Sequence, residues 1–369
     1  MDNETFLITG GAGFIGTNFV RMLANTKSNV NIIVVDLLTY AGNIRNIKDL
    51  IDSGRISFVH LDIADFEGIK KVFKKYSPDY VINFAAESHV DRSIKDSRNF
   101  IKTNVMGTQT LLEAARHRWK KDGKLTGNTM YIQISTDEVY GSLGKDGYFI
   151  EETPLDPHSP YSASKASADL LVQAYVDTHD FPAAITRCSN NYGPYQFPEK
   201  LIPLMINNIL SGKKLPIYGD GMNIRDWIHV SDHCKAILEI LEKSENGEVY
   251  NIGANNEWTN VDLIHLLLKT VRDEFERNSE FLDLANISPT EMDEKLIEFV
   301  KDRPGHDQRY AIDNSKIRKK IGWKPEIPFK EGLKETVKWY LRNTEWIEMV
   351  TSRDYKKYYK EMYDNRDLL

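Results

Sequence analysis

The stretch "TFLITGGAGFIG" (5–16) constrains this chain more than any other. An apolar strand, "TFLITG" (5–10), runs into Gly10, Gly11, Gly13 and Gly16, which open a helical pattern, "GFIGTNFVRMLANT" (13–26). Glycines so placed allow a tight turn, close approach of backbone to a pyrophosphate, and close packing of helix on strand. Alone, such a run can be a plain glycine-rich turn. Its context says more. "NIIVVD" (31–36) reads as the next strand and ends in Asp36, twenty positions after Gly16. A carboxylate there accepts hydrogen bonds from ribose hydroxyls and repels a 2′-phosphate. Leu37 follows, and no Arg or Lys adjoins to bind that phosphate, so the pattern favours NAD over NADP.

The alternation continues. "ISFVHLD" (56–62), "YVINFAA" (80–86), "YIQIS" (131–135) and "AAITRC" (183–188) read as strands, with helices near 65–76, 98–119 and 160–178. Short Val/Ile runs between helices predict a parallel sheet covered on both faces. Right-handed crossovers then give an α/β fold of Rossmann type, doubly wound. After residue 190 the pattern loosens. Pro194, Pro198, Pro203 and Pro216 mark loops around one helix (200–211), and "VYNIG" (249–253) reads as a strand returning to the main sheet. A helix over 260–275 leads into an acidic stretch, 272–298, with 278–290 read as a loop insertion. The expected division is a dinucleotide-binding domain over 1–190, with a return around 226–253. A smaller mixed α/β substrate-binding domain takes 191–225 and 254–345, and 346–369 is a peripheral charged tail.

Composition removes whole classes of function. The chain has 369 residues, 41% hydrophobic and 28% charged, which suits an ordinary globular protein. Its net charge of -6 argues against a general binder of nucleic acid or acidic membranes. No apolar run reaches membrane-spanning length. "MDNETFLITG" has no basic n-region and reads as a strand rather than a signal peptide. Cys188 and Cys234 have no framework spacing, and the nine His form no HExxH-like cluster. The expectation is a cytoplasmic protein with no metal site and no nucleic-acid or membrane partner.

Two further motifs carry chemistry. Tyr161 and Lys165, in "YSASK", stand at i and i+4 at the start of a long helical pattern and so share one face. An ammonium beside a phenol lowers its pKa and makes it a base for a hydroxyl proton as hydride leaves the same carbon. Such a pair alone is usually a solvated helix face; behind a dinucleotide fingerprint it is more specific. "STDEVYG" (135–141) follows a buried strand and places Asp137 and Glu138 side by side. Neighbouring side chains on a strand point to opposite faces, so the two converge only if the chain leaves the strand by about Thr136. Gly141 suits such a loop.

"TGGAGFIG", Asp36, Thr136 and "YSASK" resemble the extended short-chain dehydrogenase/reductase superfamily. "LTYAGN" (38–43), "AAESHVDRSI" (85–94), "STDEVYG", "SNNYGPYQFPEKLIPLMI" (189–206) and "VKDRPGHDQRYAID" (300–313) resemble the dTDP-glucose 4,6-dehydratase family within it. The resemblance runs from residue 5 to about 325. It implies an NAD-dependent lyase of deoxysugar biosynthesis. C4 of a nucleotide-linked glucose is oxidised, water leaves across C5 and C6, and hydride returns to C6. Paired carboxyl groups of opposite protonation state serve the middle step. By the family's motif Glu138 is the base and Asp137 the acid. Thr136 and Tyr161 attend the C4 oxygen, and Lys165 holds the phenolate and the nicotinamide ribose.

The resemblance also implies binding residues. For the cofactor these are Gly10, Gly13, Phe14, Ile15, Gly16, Asp36, Leu37, Leu38, Thr39, Asp62, Ile63, Phe84, Ala85, Ala86, Glu87, Ser88, Thr103, Tyr161, Lys165 and Asn191. For the nucleotide sugar they are Ser88, Thr136, Asn190, Glu199, Lys200, Leu201, Pro216, Ile217, Tyr218, Arg225, Asn260, Arg303 and His306. A guanidinium can form two parallel bonds, so Arg225 and Arg303 suit the diphosphate. Read alone, Asp62 is a strand-end cap, Thr103 a helix-surface hydroxyl and Asn191 a turn amide. Two departures stand out: Leu37 where the family often has Lys, and the longer, more acidic 272–298. The family's dimers pair two helices from each subunit, here 98–119 and 160–178, with Ala168, Leu171, Val172 and Tyr175 as the apolar stripe. The alternative is that these stripes face the chain's own sheet. Other readings are a 4-epimerase, a dehydratase of UDP- or CDP-glucose, and a catalytically silent NAD-binding regulator. An epimerase has no use for paired carboxylates at 137 and 138.

Overall fold

Seven parallel strands form the central sheet of the computed structural model, which describes residues 3–121, 124–125, 128–302 and 306–351. In chain order they are β1 (Glu4–Thr9), β2 (Val30–Asp36), β3 (Ser57–His60), β4 (Tyr80–Asn83), β5 (Met130–Thr136), β6 (Ala183–Cys188) and β7 (Val249–Ile252). Their spatial order is β7-β6-β5-β4-β1-β2-β3, with every neighbouring pair parallel. The principal helices are α1 (Phe14–Thr26), α2 (Phe66–Tyr76), α3 (Val90–Lys95), α4 (Thr108–Trp119), α5 (Pro160–His179), α6 (Leu201–Leu210), α7 (Val230–Lys243), α8 (Asn260–Arg277), α9 (Phe329–Arg342) and α10 (Thr344–Val350).

The side-chain period of two explains the layers. Phe6, Ile8, Ile32, Val34 and Ile132 bury one face against Phe19, Val20 and Leu23 of α1 and Ile237 and Ile240 of α7. Leu7, Ile33, Val35, Val81 and Ile185 bury the other against α2, α4 and α5, through residues such as Phe73, Leu112 and Val172. This is the doubly wound α/β fold expected. A separate apolar cluster joins α6, α8 and α9 through Ile206, Leu267 and Leu333. The strand Ile224–His229 pairs with residues 190–192, 257–259 and 309–310 to link the two regions.

Three expectations change in detail. The helix over 98–119 is not continuous: a short turn, Arg98–Phe100, leads into a π-helical stretch, Ile101–Gly107, and then α4. Ile63 packs where a side chain on Gly107 would lie, with its Cδ1 2.5 Å from that position. The widened turn also lets Asn104 bond both backbone groups of Glu87, at 2.9 and 3.0 Å. Secondly, 278–290 is not a bare loop. Short 3₁₀ turns at Ser279–Leu284 and Pro289–Glu291 bury Phe281 and leave acidic side chains outward, and Met292 is buried just beyond them. Thirdly, the expected tail is not peripheral at 346–350. These residues lie in α10, where Ile347 is buried and Trp346 Nε1 donates to Asn46 Oδ1 at 2.8 Å. Asn46 in turn donates to the Ala12 carbonyl at 3.1 Å. Residues 352–369 lie outside the described residues.

The glycine turn is tight enough to test. A Cβ on Gly16 would collide with the Gly10 carbonyl oxygen, and one on Gly10, whose φ is +66°, would lie 2.6 Å from the Ala85 nitrogen. Gly16→Ala is therefore expected to cost about 1–3 kcal/mol of stability in urea unfolding. A midpoint equal to that of the parent chain would contradict this packing.

Candidate active site

A cleft opens at the carboxyl ends of the strands, where the chain leaves β1 and β4 in different directions. On one side lie Gly10, Gly13 and the first turn of α1, whose N-cap Gly13 supplies no capping side chain. The N–H groups of that turn suit an anion. At the end of β2, Asp36 accepts from Ala12 N at 3.0 Å and Leu38 N at 2.8 Å. Burial raises its pKa, and these two N–H groups pull it back down. A backbone cradle free of side chains, with a carboxylate one strand away and Leu37 beside it, fits a dinucleotide without a 2′-phosphate.

Of the residues expected at the cofactor, all except Leu38 line this cleft. Leu38 has φ +54° and turns its side chain onto the core. Thr103 comes from the π-helical stretch, and Asn191 from the short strand after β6.

At the other end of the cleft β5 stops at Thr136, and a 3₁₀ turn, Asp137–Tyr140, begins at once. Thr136 Oγ1 accepts from Glu138 N at 3.3 Å and donates to Asp137 Oδ1, also at 3.3 Å. Gly141, at φ +86°, closes the turn. The bend brings both carboxyl groups to the cleft, as a straight strand could not. They differ in setting. Asp137 is 2% exposed and its Oδ2 has no hydrogen-bond partner among the described residues, whereas Glu138 is half-buried. Burial holds the Asp137 carboxyl well above the usual range, helped by the charges of Glu138 and Asp226 and opposed by Arg225.

Ser159 and Ser162 form a capping box that starts α5 at Pro160, which sets Tyr161 and Lys165 into the cleft. Burial and the charge of Glu138 push the Tyr161 phenol well up, against the pull of Thr136. The expected lowering by Lys165 is not seen. The Lys165 ammonium donates instead to the Ile134 carbonyl at 2.6 Å. Burial pulls Lys165 down, and Asp169 and Cys188 oppose it.

The expected sugar-binding residues divide. Ser88, Thr136, Asn190, Glu199 and Lys200 line the cleft; Leu201, Pro216, Ile217, Tyr218, Arg225, Asn260 and His306 do not. Leu201 and Ile217 pack in the apolar cluster around α6, and Pro216 is buried beside them on the strand Leu215–Tyr218. Tyr218 donates to Asp91 at 3.3 Å, and His306 Nδ1 lies 2.6 Å from Asp302. Asn260 begins α8, its N–H on the Asn223 carbonyl at 3.0 Å. Arg225 is 6% exposed and donates to the Ile224 and Asp307 carbonyls at 2.7 and 2.9 Å, under the Tyr310 ring. Arg303 lies outside the described residues. The sequence reading missed Ser189, Gln196 and Phe197, which also line the cleft. All three fall inside the block 189–206, which was the available signal.

Asp137 links the site to stability. Its folded pKa lies above its unfolded value. Its contribution is therefore fully present below the unfolded pKa and is lost as pH rises through the folded one. Asp137→Asn removes this titration. Its melting temperature should gain on that of the parent as pH rises from about 4 to about 8. A constant difference across that range would mean that Asp137 is not held protonated.

Comparison with known proteins gives a consistent result. Residues 7–336 match the family model described as GDP-mannose 4,6 dehydratase. A dTDP-glucose 4,6-dehydratase from Neisseria meningitidis serogroup B is 49% identical over 355 residues, 95% of this chain and 97% of the relative. A crystal structure of dTDP-glucose 4,6-dehydratase from Bacillus anthracis in complex with NAD superposes with a TM-score of 0.81. It is 46% identical, with 94% of this chain and 99% of that chain covered. A UDP-glucose 4-epimerase from Thermotoga maritima, solved with UDP-glucose, gives 0.77 at 28% identity, covering 92% and 99%.

Proposed function

The chain belongs to the GDP-mannose 4,6 dehydratase family, with dTDP-glucose 4,6-dehydratases among its full-length relatives, and on that premise we propose that it is an NAD-dependent hydro-lyase acting on dTDP-glucose. The product is dTDP-4-keto-6-deoxy-glucose. The observation that carries the reading is the turn at 137–140, which offers one buried carboxyl and one half-buried carboxylate to the same cleft.

The chain's residues divide the work. The glycine turn with Asp36 would hold NAD⁺ along the cleft, where the bound cofactor would supply the hydride chemistry at C4 and C6. Tyr161 removes the proton of the C4 hydroxyl, and Thr136 hydrogen-bonds the same oxygen. Lys165, one helical turn along, donates to the Ile134 carbonyl in this structure; we assign its ammonium to the phenolate and the nicotinamide ribose once the dinucleotide is bound. The resulting C4 carbonyl makes the C5 proton removable. Glu138 takes it, and Asp137 protonates the departing C6 hydroxyl, so that water leaves and a C5–C6 double bond forms; when hydride reaches C6, Glu138 returns the proton to C5. An acid must hold its proton before the step and a base must not. Asp137, raised by burial, is suited to the first role. Ser88, Asn190, Glu199 and Lys200 bind the nucleotide sugar.

On the same reading, residues 1–190 with the return around 226–253 serve the cofactor, and 191–225 with 254–345 serve the nucleotide sugar. No helix among the described residues is long and apolar enough to cross a membrane, and a cytoplasmic enzyme is the location that fits. Of the stripe expected at a dimer contact, Leu171, Val172 and Tyr175 pack in the cluster on the chain's own sheet and Ala168 is buried, so those residues do not form an outward face. We propose a homodimer through other residues of the π-helical stretch, α4 and α5. Ile101, Met106 and Leu170 are 46, 55 and 61% exposed there, which supports an apolar contact. Leu170→Asp should convert a dimer to a monomer in sedimentation or size-exclusion analysis; an unchanged mass would remove this surface as the interface.

The likeness to a 4-epimerase keeps a second reading in view. Purified protein incubated with dTDP-glucose should yield a product that absorbs in alkali and has lost one water. dTDP-galactose instead would establish the epimerase, and turnover of UDP- or CDP-glucose alone would correct the nucleotide. Glu138→Gln should slow dehydration by roughly 10²–10⁴ while NADH still forms. Full dehydration by that variant would remove Glu138 as the base.

A further inference from the structure

Three distant segments meet over Glu199. Arg92, on α3, donates from both Nε and Nη2 to Glu199 Oε2, each at 3.1 Å. The Arg92 guanidinium carbon lies 3.9 Å from the centre of the Tyr40 ring. Glu199 itself is 5% exposed, yet it lines the cleft.

A buried carboxylate is costly unless it is paired and hydrogen-bonded. Arg92 supplies the pairing, with two of its five N–H donors on the single oxygen Oε2. That contact anchors one oxygen of the carboxylate, and the other keeps acceptor capacity of its own. Tyr40 restrains the guanidinium from above, so that Arg92 has little freedom to swing away. Sugar hydroxyls are the donors such an acceptor suits. A pair serving only to join loops would not need its carboxylate at the ligand cleft.

We propose that Arg92 and Tyr40 are positioning residues that fix the Glu199 carboxylate as the acceptor for hexose hydroxyls left unchanged by the reaction. The inference rests on the nucleotide-sugar reading. It assigns the selection of the sugar to a contact made across 107 positions of sequence.

Calorimetric titration of the NAD-loaded protein in a Tyr161→Phe background, which cannot oxidise C4, with dTDP-glucose and with dTDP, which lacks the sugar, tests it. Arg92→Met should weaken dTDP-glucose by roughly ten- to a hundredfold and leave dTDP within about twofold. Arg92→Lys should recover part of the loss, and Tyr40→Phe should lose less than Arg92→Met. The double variant Arg92→Met, Glu199→Gln should bind dTDP-glucose no more weakly than the worse single variant. Equal weakening of both ligands would mark Arg92 as structural. Losses that multiply in the double variant would mean that it does not act through Glu199. Either result overturns the proposal. Should Arg92→Met fail to fold, Arg92→Lys and Tyr40→Phe carry the same comparison. Binding requires no turnover, so failure of the parent protein to dehydrate dTDP-glucose would count against the reaction and not against this contact.

Discussion

The site depends on a parallel sheet buried on both faces. Such a sheet leaves only its strand ends for chemistry, and here the chain leaves β1 and β4 in different directions, so a gap opens at their carboxyl ends. A buried polar chain holds that end of the sheet in register. Thr9 Oγ1 donates to Asn83 Oδ1 at 2.6 Å, and Asn83 donates to Gln133 and Thr108 at 3.1 and 3.2 Å. β1, β4, β5 and α4 are thus tied together beneath the cleft. A one-residue slip in any strand would turn these groups to the wrong face and leave them unpaired.

On that base the reacting groups are kept in unfavourable states. Asp137, Tyr161 and Lys165 are all buried, and burial opposes the charged form of each. The chain tolerates this because β5 and α5 are anchored independently of the site. A capping box begins the helix, and six parallel register pairs hold β5 to β6. The rigidity of the scaffold offsets the cost of the site, a common relation between stability and activity.

Much of this was legible in the sequence because it rests on local spacing. The strand–glycine–helix stretch, Asp36 and the Tyr161–Lys165 pair depend on intervals of a few residues or one strand. The burial difference between Asp137 and Glu138 was not legible, since it arises from a turn one residue beyond the strand. Contacts between distant segments were also hidden. Arg225 reads as an anion-binding surface cation, but the carbonyls of Ile224 and Asp307 take it inward. Leu38 stands in a cofactor-like block, but its left-handed backbone sends it to the core. The π-helical stretch was missed because its apolar pattern matches an ordinary helix, and only the packing of Ile63 on Gly107 reveals the wider turn.

The contact from Trp346 through Asn46 to the Ala12 carbonyl has a consequence for shortened forms of the molecule. Trp346 and Asn46 stand 300 positions apart, so the outer support of the glycine turn is contributed by chain far downstream of it. A fragment that stops short of α10 can build the strand, the turn and the helix that follows, but its cradle lacks that brace.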